Sequence, residues 1–280
     1  MNTIKLENNN LSLELLDDFG AKIISIKDKK TDFEFVFQNE LKEYKKPEYG
    51  SDFSIYDTSG IDECFPTIDD CVYRGIKLPD HGDIWSANWE NIKDDNVIIS
   101  KTSSKSLGFT FMRKISLEGD EIKLEYEVHN TSDQAMHYLW AHHGLLNIEK
   151  DTRIELPYSR HDALNVHNDL KYRFNITKIA EYPDNGAYKF YNNEALDRSE
   201  AAIYHPSLGL RYKLVFDFEK QPFFGVWLTK GGFKGDYNVA LEPSNGFYDS
   251  LDRAVNNGLK PIEANEYDRW EIKIIIERMK

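Results

Sequence analysis

The residues best suited to moving protons lie in three short stretches. Val239-Ala240-Leu241-Glu242-Pro243 sets a carboxylate into an alternating apolar run. In a strand, Val239 and Leu241 face one side and Glu242 the other. Pro243 has no N–H and biases the residue before it towards extended geometry, so the strand is expected to stop with Glu242 at its rim. A carboxylate held there can act as a base, or be the exposed charge that most glutamates are. His81 follows Pro79 and Asp80 and precedes Gly82, which puts an imidazole on a tight turn. His142 and His143 are adjacent in HYLWAHHGLLNI. As strand residues they point to opposite faces, so only one can face any given cleft, and Gly144 after them marks a bend or a close approach to the backbone. Each histidine can equally be satisfied by backbone partners. A carboxylate and an imidazole, with ordinary pKa values of about 4.3 and about 6.5, make an acid–base couple able to work near neutrality.

Other chemistries find no support. Gly231-Gly232 stands alone as a turn rather than a phosphate loop between strand and helix, and there is no GxSxG elbow. His142 and His143 lack the i, i+4 spacing of a helical metal site. Cys64 and Cys71 have no second pair to complete a zinc site and are too few for a disulfide scaffold, so they read as structural thiols. No metal or cofactor is expected. Arg113 shares the apolar face of LGFTFMRKISL with Phe109, Phe111 and Ile115. A guanidinium so placed needs either a structural carboxylate or a role in a cleft.

The elements that must carry these residues read as strands. Leu11 to Ile26 has the pattern of an opening hairpin; Leu107–Leu117, Ile122–Val128, Ala201–Phe218 and Trp270–Ile276 alternate with period two. Residues 60 to 89, with two prolines and two tryptophans, read as a long loop that displays His81. Residues 151 to 205 give the weakest pattern, and Ser250–Val255 is a helical turn or two. Many short strands and almost no amphipathic helix predict an all-β fold, a large antiparallel β-sandwich, as one domain over residues 1–280. The 280 residues are 40% hydrophobic and 13% aromatic, enough for a sizeable core. A formal net charge of −13 argues against nucleic acid or an anionic membrane as partner. The N-terminal MNTIKLENNN has no apolar signal core, and a cytoplasmic address is expected.

LPDHGDIW (Leu78 to Trp85), LWAHHGLLNI, FFGVWLTKGG and LEPSNGFYDSLDRA resemble, in order and spacing, the aldose 1-epimerase (galactose mutarotase-like) family. The resemblance spans nearly the whole chain. It implies a β-sandwich with a sugar site on one sheet face, a small-molecule sugar as partner, and a monomer or homodimer. By motif, His143 resembles the general acid, Glu242 the general base and His81 the sugar-contacting histidine. Asp80, Arg113, Trp227 and Lys230 are counted with the substrate-binding residues, Trp227 and Trp85 as stacking platforms or as core. The family motif that sets an aspartate against the sugar hydroxyls is not found here, which points to a divergent branch. Two alternatives follow: a hexose-6-phosphate 1-epimerase, with Arg74, Arg113 and Lys230 as candidate phosphate clamp, and a non-catalytic carbohydrate-binding protein on the same scaffold.

Overall fold

The computed structural model describes residues 2–40, 43–159, 163–167, 175–193 and 195–279. Among the described residues, two antiparallel sheets, of ten and eight strands, enclose the core, and a separate hairpin pairs Cys71–Tyr73 with Ile76–Leu78. The eight-stranded sheet shows the alternation read from the sequence. Phe109–Glu118 and Glu121–Asn130 pair along their full length, and Tyr267–Arg278 lies between Glu121–Asn130 and Leu210–Phe216. Trp270, Ile272, Ile274 and Ile276 all point inward.

The ten-stranded sheet carries the candidate acid and base. At its centre, in spatial order, run Ile61–Cys64, Ala141–Asn147, Tyr237–Ser244, Phe223–Lys230 and Gly186–Asn192. Two expectations are corrected here. Residues 60 to 89 are not one long loop, because Ile61–Cys64 is a fully buried central strand. Its two carboxylates disguised it: neither face of Ile-Asp-Glu-Cys is uniformly apolar. Nor does the strand that carries Glu242 stop there; Tyr237–Ser244 continues through Pro243, leaving Glu242 within the strand and only 1% exposed. Towards the histidine strand the matched pairs are Gly144 with Leu241 and Ala141 with Ser244, and the gap between them falls where Pro243 has no N–H to give. The histidine strand also begins later than its apolar pattern suggests, at Ala141 rather than His137.

Between the sheets, Arg113 has no exposed surface. Its Nη1 donates to Glu63 Oε1 at 2.9 Å, its Nη2 donates to the Ala21 carbonyl, and the Trp89 ring lies 5.7 Å away. Glu63 also accepts from Tyr126 Oη at 2.9 Å and from Trp140 Nε1 at 2.8 Å. Of the two roles open to Arg113, the structure shows the carboxylate partner: a buried charge whose two terminal nitrogens are both engaged while Nε is left without a partner, away from the cavity described next.

Candidate active site

Pleating decides which of each neighbouring pair reaches the site. In Ile61–Cys64, Glu63 turns into the core and Asp62 to the other face. In Ala141–Asn147, His142 is enclosed and His143 reaches the cavity. Asp62 pairs with His143, and the register that matches Gly144 with Leu241 puts His143 opposite Glu242. Glu242 in turn pairs with Gly225, and Gly225 with Tyr191. Asp62, His143, Glu242, Gly225 and Tyr191 therefore form one row across five strands. Gly225 makes the row possible: a Cβ there would lie 3.1 Å from Glu242 Oε2 and 3.0 Å from the Tyr191 ring.

Above this row is a cavity of about 370 Å³, large enough for a small polar ligand. His81, His143, Asp80, Trp227, Lys189, Asp69, Asp249, Phe53 and Arg253 are among its walls. His81 sits on its turn with a positive φ of 58°. At Gly82 a side chain would collide with the Phe65 carbonyl, so the turn closes only with glycine there. The imidazole is fixed on both sides. Its Nδ1 bonds Asp80 Oδ1 at 2.8 Å, and its ring stacks on Phe53 with centroids 3.8 Å apart. Asp80 also accepts from the Phe53 amide at 3.1 Å. Burial is the largest single influence on Asp80 and would raise its pKa, but the bond and charge of His81 together with the Phe53 and His81 backbone amides outweigh it and hold the carboxyl below its ordinary range. His81 and His143 meet edge to face, with ring centroids 5.2 Å apart.

His143 is buried, its Nδ1 has no hydrogen-bond partner, and burial followed by the nearby His81 and Lys189 charges holds its pKa well below the ordinary value. Glu242 is the converse case. Burial raises its carboxyl above the usual range, against the pull of Lys189. Lys189 is the residue the sequence reading passed over. Its ammonium contacts Glu242 Oε2 directly and lies 3.8 Å from Asp249 Oδ1. It lines the cavity whereas Glu242 does not, so the lysine stands between the carboxylate and the open space. Burial alone would lower its pKa; the Glu242 and Asp249 charges overcome this and raise it, which keeps the ammonium charged.

Two further carboxylates went unnoticed in the sequence. Asp249 accepts from Tyr191 Oη at 2.6 Å, and its backbone carbonyl accepts from the Asp69 amide at 2.6 Å. Burial, then the Asp249 charge, pushes the Asp69 carboxyl up to about 6. Asp249 stood in view within LEPSNGFYDSLDRA, but nothing local distinguished it from a turn residue. Lys189 lay in the weakly patterned 151–205 region, and only strand pairing reveals its partner.

Not every expected residue converges. Trp227 lines the cavity, but Trp85 is buried against Phe53 at 5.0 Å and is core. Lys230 is turned away and bonds the Tyr182 carbonyl at 2.8 Å and Asp184 at 2.9 Å. Arg74 donates to the Ala135 carbonyl at 2.9 Å. Arg113, Lys230 and Arg74 are thus all absent from the cavity walls, because each is satisfied elsewhere.

Comparison with known proteins agrees with this architecture. A family profile described as aldose 1-epimerase matches residues 2–245. Among solved structures, the Slr1438 protein from Synechocystis sp. PCC 6803 superposes with a TM-score of 0.76 at 17% identity, covering 99% of this chain and 96% of that one. The galactose mutarotase related enzyme from Lactobacillus acidophilus gives 0.72 at 16% identity, covering 100% and 99%. A galactose mutarotase-like protein from Lactobacillus casei ATCC 334 gives 0.70 at 14% identity, covering 99% and 100%. At such identities these likenesses speak for the fold alone. A sequence comparison with curated proteins finds no match. With a family profile running across most of its length, the chain belongs to the aldose 1-epimerase family.

Proposed function

We propose that the protein is an aldose 1-epimerase acting on a neutral monosaccharide, with Glu242 as base and His143 as acid. The observation that carries this is the row in which an imidazole and a carboxylate fall opposite each other on adjacent strands, at a cavity of sugar size. In the α-to-β direction the carboxylate takes the O1 proton while the imidazolium protonates the ring oxygen, and the C1–O5 bond breaks to leave an aldehyde. After rotation about C1–C2, the hydroxyl attacks the other carbonyl face. Glu242 then returns its proton to O1 and His143 takes one back, so no proton is gained or lost. Each transfer contributes roughly 10²- to 10⁴-fold. His81, oriented by Asp80, donates to a sugar oxygen; Trp227 offers a face for the apolar side of the ring; Asp69 and Asp249 accept from hydroxyls.

A neutral substrate is favoured over a phosphorylated one. Asp69, Asp80, Asp236 and Asp249 line the cavity against Lys189 and Arg253, and Lys189 is already paired. The three cations a phosphate clamp would have used are satisfied elsewhere. One observation favours a second reading, a sugar-binding protein without catalysis: Lys189 covers Glu242. Polarimetry on freshly dissolved single anomers of a panel of neutral aldoses separates the two. The epimerase reading expects faster approach to equilibrium with the wild type and a loss of roughly 10²-fold or more in Glu242→Gln and His143→Asn. Sugar binding without any acceleration supports the second reading, and a Glu242→Gln protein as fast as wild type removes Glu242 as the base.

A further inference from the structure

Behind the two cavity histidines lies a thiol that the proposed reaction does not use. Cys64 ends the strand Ile61–Cys64, is 1% exposed, and pairs with Ala141 of the histidine strand. Its Sγ, one nitrogen of His81 and one nitrogen of His143 all lie within 4.8 Å of one another. One thiolate and two imidazoles are a borderline-soft donor set of the kind that holds Zn²⁺ with three protein ligands and one open position.

Three independent features point to a ligand rather than to chance proximity. His143 Nδ1 is buried and has no hydrogen-bond partner, a state shared by both nitrogens of the enclosed His142, but of these two rings it is His143 that stands in one donor cluster with Cys64 and His81. His81 Nδ1 is engaged by Asp80 Oδ1 at 2.8 Å, which leaves Nε2 free. That is the carboxylate–histidine pairing by which metal-binding imidazoles are oriented. Both rings line the cavity, so a fourth position would open onto it. For a tetrahedral Zn²⁺ with bonds of about 2.0–2.3 Å, donor atoms stand roughly 3.3–3.6 Å apart. With His81 held by Asp80 and Phe53, it is Cys64 and His143 that must close in, by movements on the order of 1 Å, within reach of small side-chain rotations.

We propose that Cys64, His81 and His143 form a site for Zn²⁺, open to the cavity, at which metal and sugar exclude each other. Binding forms an S–Zn bond and two N–Zn bonds, and the thiol proton leaves to solvent; no oxidation occurs. Metal coordination itself does not depend on the epimerase reading. Only the expected inhibition rests on it.

The test uses Co²⁺ as a spectroscopic probe and Zn²⁺ as competitor on the full-length protein. Wild type should show a thiolate-to-cobalt charge-transfer band that Zn²⁺ abolishes. Cys71→Ser should keep the band and Cys64→Ser should lose it. Zn²⁺ should suppress anomer exchange of the wild type, and at least tenfold more Zn²⁺ should be needed for Cys64→Ser, each measured against its own metal-free rate. If Cys64→Ser does not fold, His81→Gln takes its place, with a tenfold weaker Co²⁺ titration expected. A folded wild type without the band, or a band of equal strength and affinity in a folded Cys64→Ser or His81→Gln protein, overturns the site. If no aldose is epimerised by the wild type, the cobalt titration still decides the metal site while the functional reading fails separately.

Discussion

Glu242 and Lys189 are a buried ion pair on the same face of one sheet, with the strand Phe223–Lys230 between them, and the pair sets how the site responds to pH. Removing the ammonium leaves the carboxylate buried without its counter-charge, which raises the pKa of Glu242 further. Lys189→Met is therefore expected to lose about 10- to 100-fold in kcat/KM at neutral pH, the magnitude of weakening one proton transfer. Because the base must be ionised to work, the acid-side limb of the pH profile should move to higher pH in this variant. A profile unchanged from wild type would show that the lysine does not tune the base. His143 has its pKa held down and Glu242 has its own raised, so the form with charged imidazole and ionised carboxylate is a minority species. The wild-type kcat/KM profile should accordingly be bell-shaped, falling on the alkaline side as the last imidazolium is lost and on the acid side as Glu242 is protonated.

At the scale of elements, the site is a product of strand register. The row from Asp62 to Tyr191 exists because five strands pair without a slip, and a shift of one residue would send His142 rather than His143 to the cavity. Gly225 is the tightest point in that row. Gly225→Ala brings a methyl against Glu242 and Tyr191 and should lower kcat/KM by about tenfold, the scale of a carboxylate displaced by a fraction of an ångström. Polarimetry together with a thermal melt checks this, since a change in melting without a change in rate would locate the effect in packing alone. The alternation that exposes one face of each strand was legible in Leu107–Leu117, Ile122–Val128 and Trp270–Ile276. It was not legible in Ile61–Cys64, where buried acids on both faces are neutralised by Lys22 and Arg113 from other parts of the chain.

For the whole molecule, the two sheets are joined by polar contacts as well as by apolar packing. Arg113, from the eight-stranded sheet, meets Glu63 of the ten-stranded sheet, with Tyr126 and Trp140 completing the set. Arg113→Ala leaves Glu63 buried and unpaired and should cost about 3–5 kcal/mol in denaturant unfolding, with KM for sugar unchanged in the fraction that folds. His142 adds a pH term. Enclosed beside Arg113, it has its pKa lowered to about 3. The unfolded chain takes up a proton there that the native chain refuses, so stability falls as pH drops through about 6.5 and continues to fall to about 3. The loss is on the order of a few kcal/mol, and His142→Leu should flatten that part of the curve in urea titrations at stepped pH.

By itself the sequence determined the class of fold, the acid and base candidates and the histidine of the HG turn, because period-two patterning and short motifs are local properties of the chain. Tertiary structure decided what each charged residue was for. Arg113, Lys230 and Arg74 were taken up by partners far away in the chain or on its backbone. Lys189, Asp69 and Asp249, unremarkable in their own segments, were brought to the cavity. A side chain's role depends on which opposite charge shares its low-dielectric surroundings, and that neighbour is chosen by strand pairing across large sequence separations.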